Sequence, residues 1–202
     1  MAITINGTSG VTYPAGGLAN TAGAGVGTTD TQTLTNKTLT SPTITGASMS
    51  SMASSVITSG TPVASTSGTS IDFTSLPSWV KRITVCWGGV SLSGNADFLV
   101  QLGTTSGFET TGYLSASEAV AYTSGFGIRV AIASWAVKGT MTINLLGNNI
   151  WCMSTNTYLD TGTTVRNGAG TKTMSGTVDR LRITTSNGTD TFDAGSINIL
   201  YE

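Results

Sequence analysis

The chain has 202 residues, a net charge of −1 and no histidine, and only 9% of it is charged, against roughly 25% in an ordinary soluble domain. Near-neutrality argues against a nucleic-acid or anionic-membrane surface, and the missing imidazole excludes a Ser-His-Asp triad or a histidine-held metal. Two cysteines alone make no structural zinc site, and no apolar run approaches the roughly 18 residues of a membrane span.

The charge and the aromatic rings are unevenly distributed. The first 70 residues hold 28 Ser or Thr, one aromatic (Tyr13) and two charges, Asp30 and Lys37. The remainder holds the other 13 aromatics and 17 of the 19 charges. Large side chains build cores, so the second part can fold alone and the first cannot.

Met1–Asn6 has neither a positive n-region nor an apolar h-region, so no secretory signal is read and assembly in a cytosol is expected. Ile3, Ile5 and Val11 predict a short opening strand. Gly16-Gly17, Gly23, Gly25 and Gly27 then form a flexible or tightly turning link. Gly23-Ala24-Gly25-Val26-Gly27 lacks the Lys-Ser/Thr ending of a P-loop and the strand and helix of a Rossmann turn.

From residue 31 the chain places Leu34, Leu39, Ile44 and Met49 five residues apart in a Thr- and Ser-rich background. Five matches neither the helix period nor the strand period. Each repeat therefore needs a bend, with Asn36-Lys37 and Ser41-Pro42 as the sites, and Pro42 lacks the N–H for a central ladder. One chain cannot bury so thin a stripe; identical chains around a shared axis can. Two readings stay open: disorder in the free monomer, or β-structure that forms on assembly. Residues 47–70 are small and polar and read as a neck or linker.

Strand signals then recur. Ile71-Asp72-Phe73 predicts a short strand ended by Leu76-Pro77. Over Val80–Trp87, Ile83, Val85 and Trp87 share a face, and Gly88-Gly89 predicts a bulge before Val90-Ser91-Leu92. A turn at Ser93-Gly94-Asn95 leads into Phe98–Leu102. Ser115–Tyr122 gives a faint helical alternative, and Ile128–Trp135 reads as a strand. Met141, Ile143 and Leu145 alternate with polar residues, and Gly147-Asn148-Asn149 predicts a hairpin into Ile150–Met153. Val178, Leu181 and Ile183 lie near an outward Arg180 and Arg182, Asn187-Gly188 marks a turn, and Ile197, Ile199 and Tyr201 form a last strand. The fold class predicted is all-β: about eight short strands in a jelly-roll-like β-sandwich head, below an N-terminal extended β-structured stem. Cys86 and Cys152 read as buried free thiols in preference to a disulfide.

No catalytic, cofactor-binding or metal-binding residue is assigned, and no cofactor is expected. Asp72, Asp97, Glu109, Glu118, Asp160, Asp179, Asp190, Asp193 and Glu202 form no pair in a glycosidase-like motif. Asp190 and Asp193 are weighed as oxygen ligands of a hard cation, with a solvated loop preferred. Tyr113, Tyr122, Phe126 and Tyr158 fall in or beside loops and are the candidate receptor-contacting rings, against the alternative that they plug the ends of the sandwich. Trp87, Trp135 and Trp151 fall within predicted strands and read as core or subunit-contact residues.

Thr31-Gln32-Thr33-Leu34-Thr35-Asn36-Lys37-Thr38-Leu39-Thr40-Ser41-Pro42-Thr43-Ile44 resembles the Thr-Gln-Thr-Leu-Thr-Asn-Lys-Thr segment common in tailed-bacteriophage fibre proteins. Gly68–Pro77 with Lys81–Val85 looks like the start of their C-terminal head domain, and Asp193–Glu202 is similar to its last strand. These matches bracket most of residues 31–202, whereas 1–30 carry no such resemblance. The resemblance implies a homotrimer on a phage or prophage virion, assembled in the host cytoplasm. Residues 1–30 would anchor it to a tail, collar or capsid protein, 31–66 would form the trimeric stem with Leu34, Leu39, Ile44 and Met49 on its axis, and 67–202 would form the head. Its partner would be a bacterial surface glycan or outer-membrane receptor, with no nucleic acid and no membrane insertion. A capsid or collar decoration fibre is the alternative, and a polysaccharide-degrading tailspike a weaker one. The stem is short for a tail fibre, and the resemblance transfers no catalytic residue.

Overall fold

The computed structural model describes residues 4–6, 10–12, 57–160 and 164–202. The axial stripe Leu34, Leu39, Ile44 and Met49 lies outside the described residues. The chain divides into two units, Met1–Ser50 and Ser51–Glu202. In the first, β1 (Thr4–Asn6) pairs antiparallel with β2 (Gly10–Thr12), setting Ile5 opposite Val11.

The second unit is all-β, with no helix among its described residues. Its strands are β3 (Thr58–Ser59), β4 (Val63–Ala64), β5 (Ser70–Phe73), β6 (Arg82–Leu92), β7 (Phe98–Thr104), β8 (Gly107–Phe108) and β9 (Tyr113–Ser117). They continue as β10 (Val120–Tyr122), β11 (Phe126–Ile128), β12 (Val137–Gly147), β13 (Ile150–Leu159), β14 (Thr164–Thr173), β15 (Arg180–Thr185) and β16 (Phe192–Tyr201). A nine-stranded sheet runs β10-β9-β14-β13-β12-β6-β16-β3, with β4 also on β16. A five-stranded sheet runs β11-β7-β15-β5, with β8 also on β7. Every pairing is antiparallel.

Alternation explains which side chains meet. Along β6, Ile83, Val85 and Trp87 are buried while Arg82 and Gly88 are exposed. Along β15, Leu181 and Ile183 are buried. Both sheets turn such faces into one core, where Trp87 of the larger sheet meets Phe98 of the smaller at 5.1 Å between ring centroids. Phe98 in turn stacks with Phe192 at 5.9 Å. The almost continuous apolar run of β7 is buried at every residue, which suits a central strand covered on both faces. The Gln101 side-chain amide on its far side donates to Ser124 O at 2.8 Å.

Several turns follow local chemistry. Gly88-Gly89 is the expected bulge: Val90 opposes Val137 and Gly88 opposes Lys138, so Gly89, with φ +73°, is the extra residue. Gly195 faces it at φ +88°, where a Cβ would collide with the Gly89 carbonyl. Asn148 and Asn149 take left-handed φ values of 49° and 59° between β12 and β13.

Other expectations change. The second unit holds fourteen described strands, β3 to β16, and two of them run to eleven residues. Ser115–Tyr122 is no helix but the β9–β10 hairpin, closed by Glu118 and Ala119 at φ 49° and 64°. The strand expected over Ile128–Trp135 stops at Ile128. Beyond it the backbone donors turn to side chains: Val130 and Ala131 N–H donate to Asp97 Oδ1 at 2.8 and 3.1 Å, and Ala133 N–H to Asn95 Oδ1 at 3.0 Å. A chain whose N–H groups are satisfied this way has none left for a ladder. Thr58–Ser59 and Val63–Ala64 lie in the stretch expected to end the stem, yet both pair with β16, and the buried Ser65 hydroxyl donates to Ala194 O at 2.7 Å. Cys86 and Cys152 are free and half-buried, not buried. They sit on β6 and β13 with β12 between, about 10 Å apart at the least and beyond disulfide reach.

Candidate functional site

Three of the four candidate contact rings point inward. Tyr113 and Phe126 are fully buried and pack edge to face at 5.0 Å. The Leu102 N–H donates to Tyr113 Oη at 2.7 Å. Tyr122 is buried too, its hydroxyl donating to Asp97 Oδ2 at 2.8 Å. Burial pushes both phenols well above the usual tyrosine value of 10, and the hydrogen bond to Asp97 adds to the rise at Tyr122. These rings are buried and hold the smaller sheet against β9.

Tyr158 is different: it is 40% exposed on β13 and opposes Val165, 49% exposed, on β14. Ile132, 42% exposed, stands on the loop between β11 and β12. Trp135 on the same loop is half-buried beneath the Arg166 guanidinium, 5.7 Å from the ring centroid. Arg166 also pairs with Glu118 at 3.4 Å. Lys138 donates to Asp160 Oδ2 at 2.7 Å, and Ala136 N–H to Asp160 Oδ1 at 3.2 Å. These groups gather at one set of strand ends.

The register places this cluster far from the point where the chain enters the sheet. Thr58 opposes Tyr201, which opposes Ile83 near the start of β6. Val137, at the cluster, opposes Val90 near the end of β6. Seven residue steps along β6 separate the two by about 23 Å.

Asp97 anchors the loop that carries Ile132. Its carboxylate gathers the two loop N–H groups and the Tyr122 hydroxyl, with Arg129 at 3.8 Å. The loop is thus held from beneath while Ile132 stays exposed above. Sequence reasoning missed Ile132 and Val165 because an isolated branched aliphatic carries no binding signal. It missed Trp135 as a loop residue because Ile128–Trp135 alternates like a strand.

The acids are occupied by local partners. Asp72 receives two bonds from Arg182, both 2.7 Å, and Glu109 pairs with Lys172 at 2.6 Å. Asp179 pairs with Arg180 and Glu202 with Arg82. Asp190 Oδ2 accepts the Ala96 N–H at 2.9 Å, while Asp193 accepts the Ser91 hydroxyl. The two acids weighed as cation ligands therefore hold different partners, one in the β6–β7 loop and one on β6. Among the described residues no cluster of three acid, cysteine or histidine groups has metal-binding geometry. At the other strand ends, Leu76, Ser78, Thr104, Ser175, Thr177 and Asp179 line a hydroxyl-rich cleft of about 420 Å3.

Comparison with known proteins finds no matching family model, no matching curated protein and no matching solved structure.

Proposed function

We propose that this chain is a non-enzymatic, homotrimeric fibre subunit of a bacteriophage or prophage virion, which meets the host surface through the strand ends carrying Ile132, Trp135, Tyr158 and Val165. Residues 1–30 dock it to a tail, collar or capsid protein, and Leu34, Leu39, Ile44 and Met49 face the threefold axis. The two sheets form a jelly-roll-like β-sandwich head, a reading supported by the single core into which Trp87 and Phe98 project from opposite sheets.

The observation that carries the receptor-binding role is the exposure of Ile132, Tyr158 and Val165 at the ends remote from Thr58. An exposed ring and aliphatics on two strands and an anchored loop suit a sugar face or a protein epitope, because they bind with little ordering cost. One such patch is small. Three on one stem act together, and effective concentration multiplies a weak affinity. The Thr-Gln-Thr-Leu-Thr-Asn-Lys-Thr segment supports the virion assignment.

Purified full-length chain should compete with phage for adsorption to host cells. Unchanged adsorption at saturating protein points instead to a capsid or collar decoration fibre. Release of reducing ends from host capsule or lipopolysaccharide would replace the reading with a depolymerising tailspike. For the stem, Leu39→Asp with Ile44→Asp should reduce the native mass to that of one chain, and a variant that stays trimeric would move the assembly role to the head.

A further inference from the structure

The outer face of the nine-stranded sheet is unusually neutral. Ala116, Ala169, Ser154, Thr142, Thr84 and Leu200 form one row across six strands, each opposite the next. Rows on either side are uncharged up to Arg82, opposite Asn144, at one margin and Lys138, opposite Tyr158, at the other. Leu114, 74% exposed, stands at the β9 side. The body carries 17 charges, yet within these margins no outward strand position is charged, and Glu118 in the β9–β10 turn is matched by Arg166. The marginal charges are already matched within the chain, Arg82 by Glu202 and Lys138 by Asp160.

We infer that this face packs against a neighbouring copy of the same chain. The inference rests on the self-association proposed above and assigns it a surface on the body. Three considerations select a second copy. The first is reach: Met49, the last residue of the axial stripe, is eight residues from Ile57, so copies joined at the stripe hold their bodies within about 28 Å of it. Tethering so short gives the bodies a millimolar effective concentration for one another.

The second is area. Between the margins the register places sixteen uncharged outward positions on the strands from β10 to β16, and at about 4.8 by 6.6 Å each they cover roughly 500 Å2. Matched by a similar area on the neighbour, this totals about 1,000 Å2, the size of a weak specific interface and above the usual lattice contact. The third is charge. A face of Ser, Thr, Asn, Ala and Leu offers donors, acceptors and apolar atoms without a sign, so identical copies meet with no like-charge repulsion. A partner of opposite charge would have nothing to read there.

Cys86 and Cys152 lie on this face and report on it without any label being introduced. Maleimide reaction of the full chain would be followed together with its native mass. The expected result is an oligomer whose two thiols react roughly tenfold more slowly than in Ser154→Arg or Asn156→Arg, since thiol reactivity follows exposure. Both substitutions fall on exposed positions, and far-UV circular dichroism checks that the sheets persist. Dilution of the unsubstituted chain until it dissociates gives the same comparison if either variant does not fold. An oligomer whose thiols react as fast as in the dissociated chain overturns this inference and leaves the trimeric stem intact. A chain that is monomeric at micromolar concentration overturns both.

Discussion

Asp97 accepts the Tyr122 hydroxyl on Oδ2 at 2.8 Å while its Oδ1 takes the N–H groups of Val130 and Ala131. One carboxylate thereby ties β10 to the loop that displays Ile132. Asp97→Ala leaves a buried phenol and two backbone donors without their acceptor, and should cost about 2–4 kcal/mol in denaturant unfolding. Tyr122→Phe removes only one bond and should cost about 1 kcal/mol. The double variant should lose less than the sum, because both changes remove the same contact.

Glu109 and Lys172 make a second junction, between the end of β8 and β14. Lys172 is buried, donates to Glu109 at 2.6 Å and to Thr173 O at 2.9 Å, and lies 5.4 Å from the Tyr113 ring centroid. Desolvation raises the Glu109 carboxyl, but hydrogen bonds from Lys172 and Ser175 and the Lys172 charge outweigh it, leaving it below the usual 4.5. A depressed carboxyl stabilises the fold above its unfolded value and loses that contribution as pH falls through the folded one. Thermal stability should therefore fall on acidification below about pH 4.5, and Glu109→Gln should flatten that part of the profile while lowering stability at neutral pH. An unchanged acid limb would show that other carboxylates govern it.

The β9–β10 turn is built from the wrong residues for its shape. Ala119 holds φ 64°, a region where Cβ costs energy. Ala119→Gly should stabilise the protein by about 0.5–1 kcal/mol, the relief of that strain exceeding the extra entropy glycine loses on folding. Glu118, also at positive φ, is a poor site for the same change because it pairs with Arg166 and accepts the Asn167 N–H at 3.3 Å. Melting temperatures of the two glycine variants should move apart.

Ile132 and Tyr158 should matter to adsorption and little to folding. Ile132→Ser with Tyr158→Ser removes exposed surface, so unfolding free energy should change by no more than about 0.5 kcal/mol per site. Competition with phage should weaken by roughly tenfold or more, since three heads multiply a small loss at each. Full competition by this variant would move the contact surface elsewhere on the head.

Much of the fold is legible residue by residue. Ile83, Val85 and Trp87 alternate and are buried; Gly88-Gly89 is a bulge; Asn148-Asn149 closes a hairpin. These signals are local, because side-chain parity and backbone φ preference act within a few residues. β14 is the counterexample: Val165 is its one large apolar residue, and Thr164–Thr173 becomes a strand because β13 and β9 flank it on both sides. The site was less legible. Tyr113, Tyr122 and Phe126 lie near turns in the chain, yet Leu102 and Asp97, distant in sequence, supply the partners that draw the two phenols inward.

By itself the sequence determined an all-β body after residue 70, through the concentration of rings and charges there and the period-two alternation of its apolar residues. It also singled out Leu34, Leu39, Ile44 and Met49 as a stripe without a single-chain explanation. Tertiary structure decided the rest: that Asp97 takes the backbone donors of a would-be strand and makes it a loop, and that Val63 and Ala64 join β16. It also decided that the outward rows of the larger sheet align into one neutral face. The physical reason is common to all three. Alternation tells each strand which side is apolar, but only the register between strands remote in sequence sets which polar groups meet and which residues share a surface.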